Sequence, residues 1–452
     1  MGLFSKALTL PKSIATTTLT LTEAPLPNRV ILPLRQYIGE PAKICVSVGD
    51  RVKVGQLIAT ADSHNTLPLH ATISGKVAGI TEHLYHTGIR LPAIIIEADG
   101  ADSWLGPKAQ EDREPLSPDE MIERIHGAGL ILKGVHPIPL ARDLSPVDQP
   151  KTHLALTGRR VVKRTDTLLI AALDPEPSLG INRYHAQREN DQLAYGIAAL
   201  KAITGAQRTL FVVDRTQPPF PQLIEMVAKD EEEATRIISL DGTRFPVGLP
   251  IPLIKAALGR EVALPYGHPR DVGVALYDMD TTVSIGGSVK SQIPQVETLI
   301  TVGGGALAQR GIVKIRIGVE IGALIESLGG FSQEPAKMIL GGPMMGMAQY
   351  DLTVPIGKEI SGLFALRADE IGRSKDYRQC ISCGLCVKMC PVNLVPGLLS
   401  LYCARDRFDA AEREGLLSCI ECGCCDYVCP SQRPMVHLFR HAKHQLLETN
   451  NE

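Results

Sequence analysis

The 452-residue sequence is poor in aromatic side chains, carries no excess charge and has no long apolar run. Phenylalanine, tyrosine and tryptophan make up 4% of the residues, and Trp104 is the only tryptophan, which argues against a flat binding surface built on stacking. Lysine and arginine number 47 against 49 aspartates and glutamates, so a nucleic-acid coat and a polybasic membrane anchor are disfavoured. No apolar run approaches the roughly 20 residues that cross a bilayer.

The N-terminal stretch, MGLFSKALTLPKS, lacks the features of a targeting segment. It has no long apolar core and no cleavage-site pattern, and Lys6 stands where a myristoylation motif requires serine or threonine. We therefore expect a soluble, cytoplasmic protein. It would have no transmembrane segment but could dock peripherally on a membrane complex.

Cysteine is concentrated at one end of the chain, since ten of the 11 cysteines lie after residue 379. An odd, clustered set in a chain without an export signal indicates metal ligation rather than disulfides. The runs CISCGLCVKMCP and CIECGCCDYVCP both match the C-x-x-C-x-x-C-x-x-x-C-P pattern of bacterial ferredoxins, in which the fourth cysteine ligates the other cluster. We therefore predict two [4Fe–4S] clusters, one on Cys380, Cys383, Cys386 and Cys429 and one on Cys419, Cys422, Cys425 and Cys390.

The alternative for these cysteines is a pair of structural zinc sites. Zinc sites usually combine two widely separated C-x-x-C pairs, whereas each run here has three cysteines followed by Cys-Pro, which favours clusters. Gly384 and Gly423 would let backbone N–H groups approach the sulfides. The remaining thiols lie off the ligand spacing and are predicted to be packed in the protein: Cys45, Cys403 and Cys424.

The residue pattern predicts a multidomain α/β and α+β protein of four units. Residues 1–116 alternate apolar and polar positions with repeated glycines, which resembles a barrel-sandwich (lipoyl/biotinyl-like) domain. The segment DSHNTLPLH between its halves lacks the attachment lysine of carrier proteins, so we expect a structural domain rather than a swinging arm. Residues 117–296 alternate helices with short apolar strands, which predicts a parallel sheet. A smaller strand–helix unit covers residues 297–366, and residues 367–452 are helical and rich in cysteine.

With these motifs in view, nearly the whole chain resembles the C subunit of Rnf-type ion-translocating electron-transport complexes. The resemblance rests on residues 29–56, on EPAKMILGGPMMGMAQYDLTVPI at residues 334–356, and on both cysteine runs in order. It implies a barrel-sandwich hybrid, an α/β domain like the flavoprotein subunit of respiratory complex I, a β-grasp (SLBB-like) domain and a helical two-cluster ferredoxin domain. In that family the α/β domain binds FMN and NADH through a glycine-rich loop, G-x-G-G-A-G-F-P-T.

Three nucleotide-site signatures of that family are altered in this sequence. The loop reads LILKGVHPIPLAR, where Gly134 remains but Lys133 and His136 replace small residues. The second signature, N-A-A-E-x-E-P-Y, reads AALDPEPS, with Asp174 and Glu176 as acidic counterparts. The third, Y-P-x-G-x-x-K-Q-L, reads FPVGLPIPLIK and lacks the Lys-Gln pair. We therefore expect ordinary FMN and NAD(H) binding to be lost or rebuilt, with Gly134, Asp174 and Glu176 lining any site that persists.

Two loop features receive structural predictions. We expect Lys133 and His136 to lie in a surface loop, and the pair Met344-Met345 in GGPMMGM to fill a turn or core rather than contact a cofactor.

The resemblance implies a peripheral electron-transfer subunit on the cytoplasmic side of the inner (plasma) membrane. It would belong to an Rnf-like complex, which is an ion-translocating oxidoreductase of the translocase class. It would relay electrons through two clusters between a soluble carrier, ferredoxin-like or NADH, and membrane flavoprotein subunits, coupled to Na⁺ or H⁺ movement. The first alternative is an NADH-oxidising FMN and iron–sulfur flavoprotein with an atypical nucleotide loop. Two others are a relative of the flavin-and-cluster cobalamin reductases and a structural adaptor, for which the cluster-type thiols would have no purpose. No catalytic acid–base pair or nucleophile stands out.

Overall fold

Nine short strands open the chain, and most of them form two facing sheets. The computed structural model describes residues 6–10, 19–106, 116–145, 164–217, 220–230, 234–372 and 378–449. The strands are Leu8–Thr9 (β1), Leu21–Glu23 (β2), Arg29–Pro33 (β3), Lys43–Ile44 (β4), Arg51–Val52 (β5), Leu57–Thr60 (β6), Leu69–His70 (β7), Gly75–Leu84 (β8) and Arg90–Ala98 (β9). Antiparallel sheets in the order β3-β9-β8-β5 and β4-β6-β7 bury Val30, Ile58 and Ile94 in one shared core, as the predicted barrel sandwich requires.

A parallel four-stranded sheet organises the next part of the chain. Its elements are Pro118–Gly127 (α1), Ile131–Leu132 (β10), Ile138–Pro139 (β11), Leu140–Leu144 (α2), Thr167–Ala171 (β12), Ile181–Ala186 (α3), Asp191–Thr204 (α4), Arg208–Asp214 (β13), Pro221–Ala228 (α5), Thr235–Leu240 (β14), Arg244–Phe245 (β15), Pro250–Leu258 (α6), a 3₁₀ turn at Pro269–Val272, Val274–Asp278 (β16) and Met279–Ser291 (α7). The strand order is β14-β13-β12-β16. From β12 the chain adds β13 and β14 on one side of the sheet and then β16 on the other side. The strand order therefore reverses between β12 and β16, and ligands of such folds usually bind at the carboxyl ends of the strands at such a point.

Local capping explains where the helices of this unit begin. Ser117 accepts a hydrogen bond from the backbone of Glu120, the Glu120 carboxylate accepts one from the Ser117 backbone, and Pro118 follows at the first helical position of α1. Asn190 caps α4 by accepting from the Gln192 N–H, and α4 ends at Gly205 in the left-handed conformation.

A six-stranded mixed sheet forms the third part. The elements of this part are Glu297–Gly303 (β17), Gly311–Arg316 (β18), Ile321–Ser327 (α8), Lys337–Leu340 (β19), Met347–Gln349 (β20), Gly362–Leu366 (β21) and a 3₁₀ turn at Ala368–Glu370. The strand order is β2-β18-β17-β21-β19-β20, and Ile300, Val313 and Leu324 are buried in its core.

The two earliest strands pair far from the barrel sandwich. β2 runs parallel to β18, with Leu21 opposite Ile312, and β1 runs antiparallel to β15, with Leu8 opposite Phe245. These pairings cross the predicted boundary at residue 116, so the first strands of the predicted 1–116 unit are hydrogen-bonded into the second and third units. The other predicted unit boundaries stay predictions.

Short helices complete the chain. They are Leu385–Met389 (α9), Pro396–Cys403 (α10), Phe408–Arg413 (α11), a 3₁₀ turn at Leu416–Ser418, Cys424–Tyr427 (α12) and Met435–Thr449 (α13). Leu399, Leu416 and Phe439 are fully buried among them. Within the part of the chain that the structure describes, no helix has both the length and the hydrophobicity that a bilayer span requires.

Candidate metal centre

The two cysteine runs adopt the same backbone conformation. In each run, residues with positive φ occur two, four and thirteen positions after the first cysteine, and these are Ser382, Gly384 and Asn393 in one run and Glu421, Gly423 and Gln432 in the other. The value is 56° at both Ser382 and Glu421. Left-handed conformations are costly for residues other than glycine, so their recurrence at matched positions marks a repeated geometry around the cysteines.

The first three cysteines of the first run surround a cavity with the last cysteine of the second run. Cys380, Cys383, Cys386 and Cys429 all line it, together with Gly397. A Cβ added to Gly397 would lie 3.6 Å from the Cys386 Sγ and 3.8 Å from the Cys380 Sγ, so glycine leaves this wall of the cavity free. The Ser382 N–H also approaches the Cys380 Sγ at 3.4 Å.

The other four of the eight predicted ligand cysteines form the second set, which is more deeply buried than the first. Cys390, Cys422 and Cys425 are buried, and Cys419 is partly so. Burial and then the charge of Cys422 raise the pKa of Cys390, and the charge of Cys390 contributes to the raised pKa of Cys425, so the fourth cysteine of the first run lies beside the second run. The Leu394 N–H lies 3.3 Å from the Cys390 Sγ and the Glu421 N–H lies 3.4 Å from the Cys419 Sγ.

The chemistry of both sets suits a metal cluster. Burial raises the pKa of Cys390, and it raises that of Cys419 to about 12, so these thiols become thiolates only beside a strong positive charge. Amide N–H groups aimed at sulfur stabilise the thiolate ligands of iron–sulfur clusters. The structure thus brings together two sets of four cysteines, each combining three thiols of one run with the fourth thiol of the other, and the number of clusters they hold stays a prediction.

The three other cysteines do not belong to either set. Cys403 is buried in the helical core, and Cys424 is buried and hydrogen-bonded to Cys422, which lowers the pKa of Cys422. Cys45 directly follows the edge strand β4 and is exposed instead of packed. The prediction for Cys45 was therefore wrong.

The second set is held by residues that are distant in sequence. The Glu421 carboxylate accepts from Arg440 Nε at 2.9 Å and from Lys443 Nζ at 2.8 Å. Lys443 also donates to the Cys419 carbonyl at 2.6 Å, and Arg440 donates to the Met345 carbonyl at 2.7 Å. Arg440 and Lys443 lie about one helical turn apart on α13. Their spacing indicates a shared partner only once Glu421 is known to face them, so the sequence alone does not predict this contact.

An apolar layer covers the second set and includes the methionine turn. Met344 and Met345 pack with Phe245, Cys422 and Cys424. The turn is fixed by Glu176, whose carboxylate accepts from the Met344 and Met345 N–H groups at 2.9 and 3.0 Å. The methionines therefore pack in a turn, in accord with the prediction, and the packing partners include a predicted cluster ligand.

The predicted nucleotide residues do not converge on one open site. Asp174 is buried and accepts from the Asn182 N–H and from Arg183 Nε, at 2.9 and 2.8 Å. Glu176 is occupied by the methionine turn. Gly134 is exposed, and a Cβ there would meet no atom within 4 Å, so this position does not require glycine for a close approach.

A buried ion pair occupies the carboxyl end of the parallel sheet. Lys133 Nζ donates to Asp280 Oδ2 at 2.8 Å and to Thr298 Oγ1 at 3.2 Å, and His185 Nε2 lies 3.2 Å from Asp280 Oδ1. Burial alone would raise the pKa of Asp280, but Lys133 and His185 together outweigh it and hold that pKa well below its usual range. Lys133 is therefore not a surface residue as predicted, since its side chain is 10% exposed; His136 is exposed, as predicted.

Comparison with known proteins identifies related chains over most of this sequence. The RnfC barrel sandwich hybrid domain family matches residues 4–101, and the 4Fe-4S binding domain family matches residues 374–395. The C subunit of the proton-translocating ferredoxin:NAD(+) oxidoreductase complex of Clostridium ljungdahlii is 34% identical over 93% of this chain and 88% of its own length. The C subunit of the Na(+)-translocating ferredoxin:NAD(+) oxidoreductase complex of Acetobacterium woodii is 31% identical over 93% and 91%.

Two further similarities are less complete. The C subunit of the ion-translocating oxidoreductase complex of Pseudomonas aeruginosa is 33% identical over 96% of this chain but only 54% of its own length. An NAD+-reducing [NiFe]-hydrogenase crystal structure aligns with 74% of this chain and 63% of its own at 16% identity, with a TM-score of 0.47, which is too low to establish a shared fold.

Proposed function

The chain belongs to the family of C subunits of ion-translocating Rnf oxidoreductase complexes, as its sequence motifs predict, and on that premise we propose that it is the peripheral electron-relay subunit of such a complex. Cys380, Cys383, Cys386 and Cys429 hold one [4Fe–4S] cluster, and Cys419, Cys422, Cys425 and Cys390 hold the other. Each cluster, when bound, stores and passes single electrons. The chain's own residues hold the clusters, cover them and set their access to solvent.

The crossed arrangement of the cysteines carries this proposal. Cys429 lines the cavity of Cys380 and Cys386, and Cys390 lies beside Cys422 and Cys425. Crossing of this kind requires the two clusters to be neighbours, because each run contributes to both. Neighbouring one-electron centres suit a relay rather than two independent sites.

The two ends of this relay differ in exposure. Cys383 is exposed at the first set, and beside it Ile381 is 66% exposed. The second set lies under the apolar layer of Phe245 and the methionine turn. We assign exchange with a soluble carrier to the first cluster and onward transfer into the complex to the second.

The soluble carrier is a reduced iron–sulfur protein of the ferredoxin class instead of NADH. Both ferredoxin and NAD(+) appear in the names of the relatives from C. ljungdahlii and A. woodii. At the position where the family's nucleotide loop is expected, Lys133 pairs with buried Asp280. Asp174 accepts a hydrogen bond from the Arg183 side chain, and Glu176 accepts one from the Met344 N–H. These contacts occupy both acidic side chains of the second signature and the lysine of the first, so neither carboxylate is available to receive FMN.

Anaerobic titration of the purified protein tests both parts of the proposal. We expect about eight irons and eight sulfides per chain, no bound flavin, no bleaching by NADH, and bleaching by dithionite or reduced ferredoxin. Bound FMN together with NADH-dependent bleaching would instead establish the NADH-oxidising flavoprotein. Zinc bound in place of iron, in a protein without visible absorption, would rule out the cluster assignment.

A further inference from the structure

Three potential metal ligands meet far from the cysteines. One ring nitrogen of His64, one ring nitrogen of His126 and a carboxylate oxygen of Glu123 all lie within 4.8 Å of one another. His64 lies in the loop between β6 and β7, and the other two residues are three positions apart on α1. The ligands thus come from the barrel sandwich and from the helix that opens the α/β unit.

The hydrogen bonds of Ser145 fix the tautomer of His64. The Ser145 hydroxyl donates its only hydrogen to the Ala141 carbonyl at 2.7 Å, so it must accept from His64 Nδ1 at 2.9 Å. In the neutral ring, Nε2 then carries a lone pair, and it faces Glu123 Oε1 at 3.0 Å. Two acceptors at that distance repel each other unless a proton or a metal cation lies between them.

The second histidine is oriented in the same way. His126 Nε2 lies 2.9 Å from the Thr66 carbonyl, which can only accept, so Nε2 carries the hydrogen and Nδ1 of the neutral ring keeps its lone pair. The two rings are 4.9 Å apart between centroids and tilted by 57°. An acceptor that holds one ring nitrogen and leaves the other to a metal is the usual outer-shell arrangement of histidine ligands.

We propose that His64, Glu123 and His126 bind a divalent cation of the zinc class. Two imidazoles and one carboxylate suit Zn²⁺ and leave its fourth position to water, whereas Mg²⁺ and Ca²⁺ prefer oxygen ligands throughout. Tetrahedral ligands at the usual zinc distances are about 3.4 Å apart, so ligand atoms that lie up to 4.8 Å apart must close, while His64 Nε2 and Glu123 Oε1, at 3.0 Å, must open slightly. The 66% exposed Glu123 side chain has the freedom to do so and gives the ion an entry path.

The position of the site indicates its role. His64 lies in the segment where carrier domains of this type hold their modified lysine, and here that segment rests on α1. An ion held by both would fasten the barrel sandwich to the α/β unit. The site is independent of the cysteine clusters, and its failure would leave the proposed relay untouched.

Zinc binding to the cluster-loaded protein tests the site. The protein is dialysed anaerobically against zinc chloride, and its zinc and iron are then quantified. We expect one zinc per chain in addition to unchanged iron, with zinc-edge X-ray absorption showing nitrogen and oxygen neighbours at about 2.0–2.1 Å. A sulfur shell at about 2.3 Å would place the zinc on cysteines and overturn the proposal, as would the absence of stoichiometric binding, which would mean that protonated His64 simply pairs with Glu123.

Matched variants separate this site from adventitious binding. Glu123→Gln and His126→Ala should each weaken zinc binding by more than tenfold, because each removes a direct ligand. Since Glu123 is exposed, Glu123→Gln should fold normally even if His126→Ala does not. His437→Ala, at an exposed histidine on α13, is the control and should bind zinc like the wild type. Equal zinc affinity in Glu123→Gln and His437→Ala would refute the assignment.

Discussion

Glu176 is a buried carboxyl whose protonation should affect the stability of the protein. Burial raises its pKa from 4.5 to about 7, although the Met344 and Met345 N–H groups oppose the shift. The proton therefore binds the folded state more tightly, so the stabilisation it provides is complete below about pH 4.5 and lost as the pH rises through about 7. A shift of this size corresponds to about 3 kcal/mol in the free energy of unfolding.

The variant Glu176→Gln should remove this pH dependence. Thermal unfolding of the wild type and the variant between about pH 5 and pH 8 should show the wild type losing stability relative to the variant as the pH rises. Glu326→Gln, at an exposed glutamate, is the matched control and should follow the wild type. Parallel curves for the wild type and Glu176→Gln would mean that Glu176 does not titrate in this range.

Cys429 offers the sharpest test of the crossed ligand sets. Cys429→Ser should remove the paramagnetic resonance signal of the cluster bound by Cys380, Cys383 and Cys386 and lower the iron content by up to about half, because that cluster loses its fourth thiolate. Cys403→Ser, at a buried cysteine of the same helical core, should leave both signals intact. Loss of only the other cluster's signal after Cys429→Ser would contradict the crossed assignment.

The ligand cysteines could be predicted from sequence, whereas the partners of the charged residues could not. Cysteine spacing is local, so the two runs define their sets without knowledge of the fold. Lys133 lies 147 residues from Asp280, and nothing near either residue indicates their pairing. Glu176 likewise contacts Met344, 168 residues away, so it was predicted only as a counterpart of a nucleotide ligand.

At the scale of elements, matched glycines in the two runs should respond differently to alanine. Gly384 and Gly423 both have positive φ, 72° and 77°, so alanine should cost about 1 kcal/mol at each. A Cβ at Gly384 meets nothing within 4 Å, whereas one at Gly423 would lie 2.7 Å from the Met344 carbonyl. We expect Gly384→Ala to retain both clusters and Gly423→Ala to lose much of the second cluster. The paramagnetic resonance signal of each cluster and the iron content per chain measure this. Equal effects of the two substitutions would mean that the methionine turn shifts to accommodate the added Cβ at position 423.

Element boundaries were predictable where short-range chemistry sets them. The capping box of α1 and the Asn190 cap of α4 each lie within four consecutive residues, so the start of each helix can be read from the local sequence. β1 and β2 have two and three residues and no strong pattern, so their pairing partners depend on the tertiary fold. Pairing of Glu23 with Lys314, 291 residues apart, could not be inferred from either segment.

On the scale of the whole molecule, three distant parts of the chain converge on the second cysteine set. The N-terminal segment contributes Leu8 and Leu10, the α/β unit contributes Phe245, and the third sheet contributes the methionine turn. Lys6 adds a hydrogen bond to Asn393, just after Cys390. The family resemblance predicted a row of units, whereas the structure brings them together around one of the proposed clusters and leaves the other at the surface.

Removing the N-terminal segment should therefore expose the second cluster selectively. Leu8 and Leu10 are each 8% exposed and cover Cys422 and Cys424 together with Phe245. Deletion of residues 1–10 should shorten the survival of the second cluster in air several-fold, while the first cluster, whose Cys383 is already exposed, decays as in the wild type. Paramagnetic resonance of each reduced cluster after timed exposure measures this, with Leu26→Ala, at a 46% exposed leucine, as the control. Unchanged survival of the second cluster would show that the apolar layer does not control oxygen access.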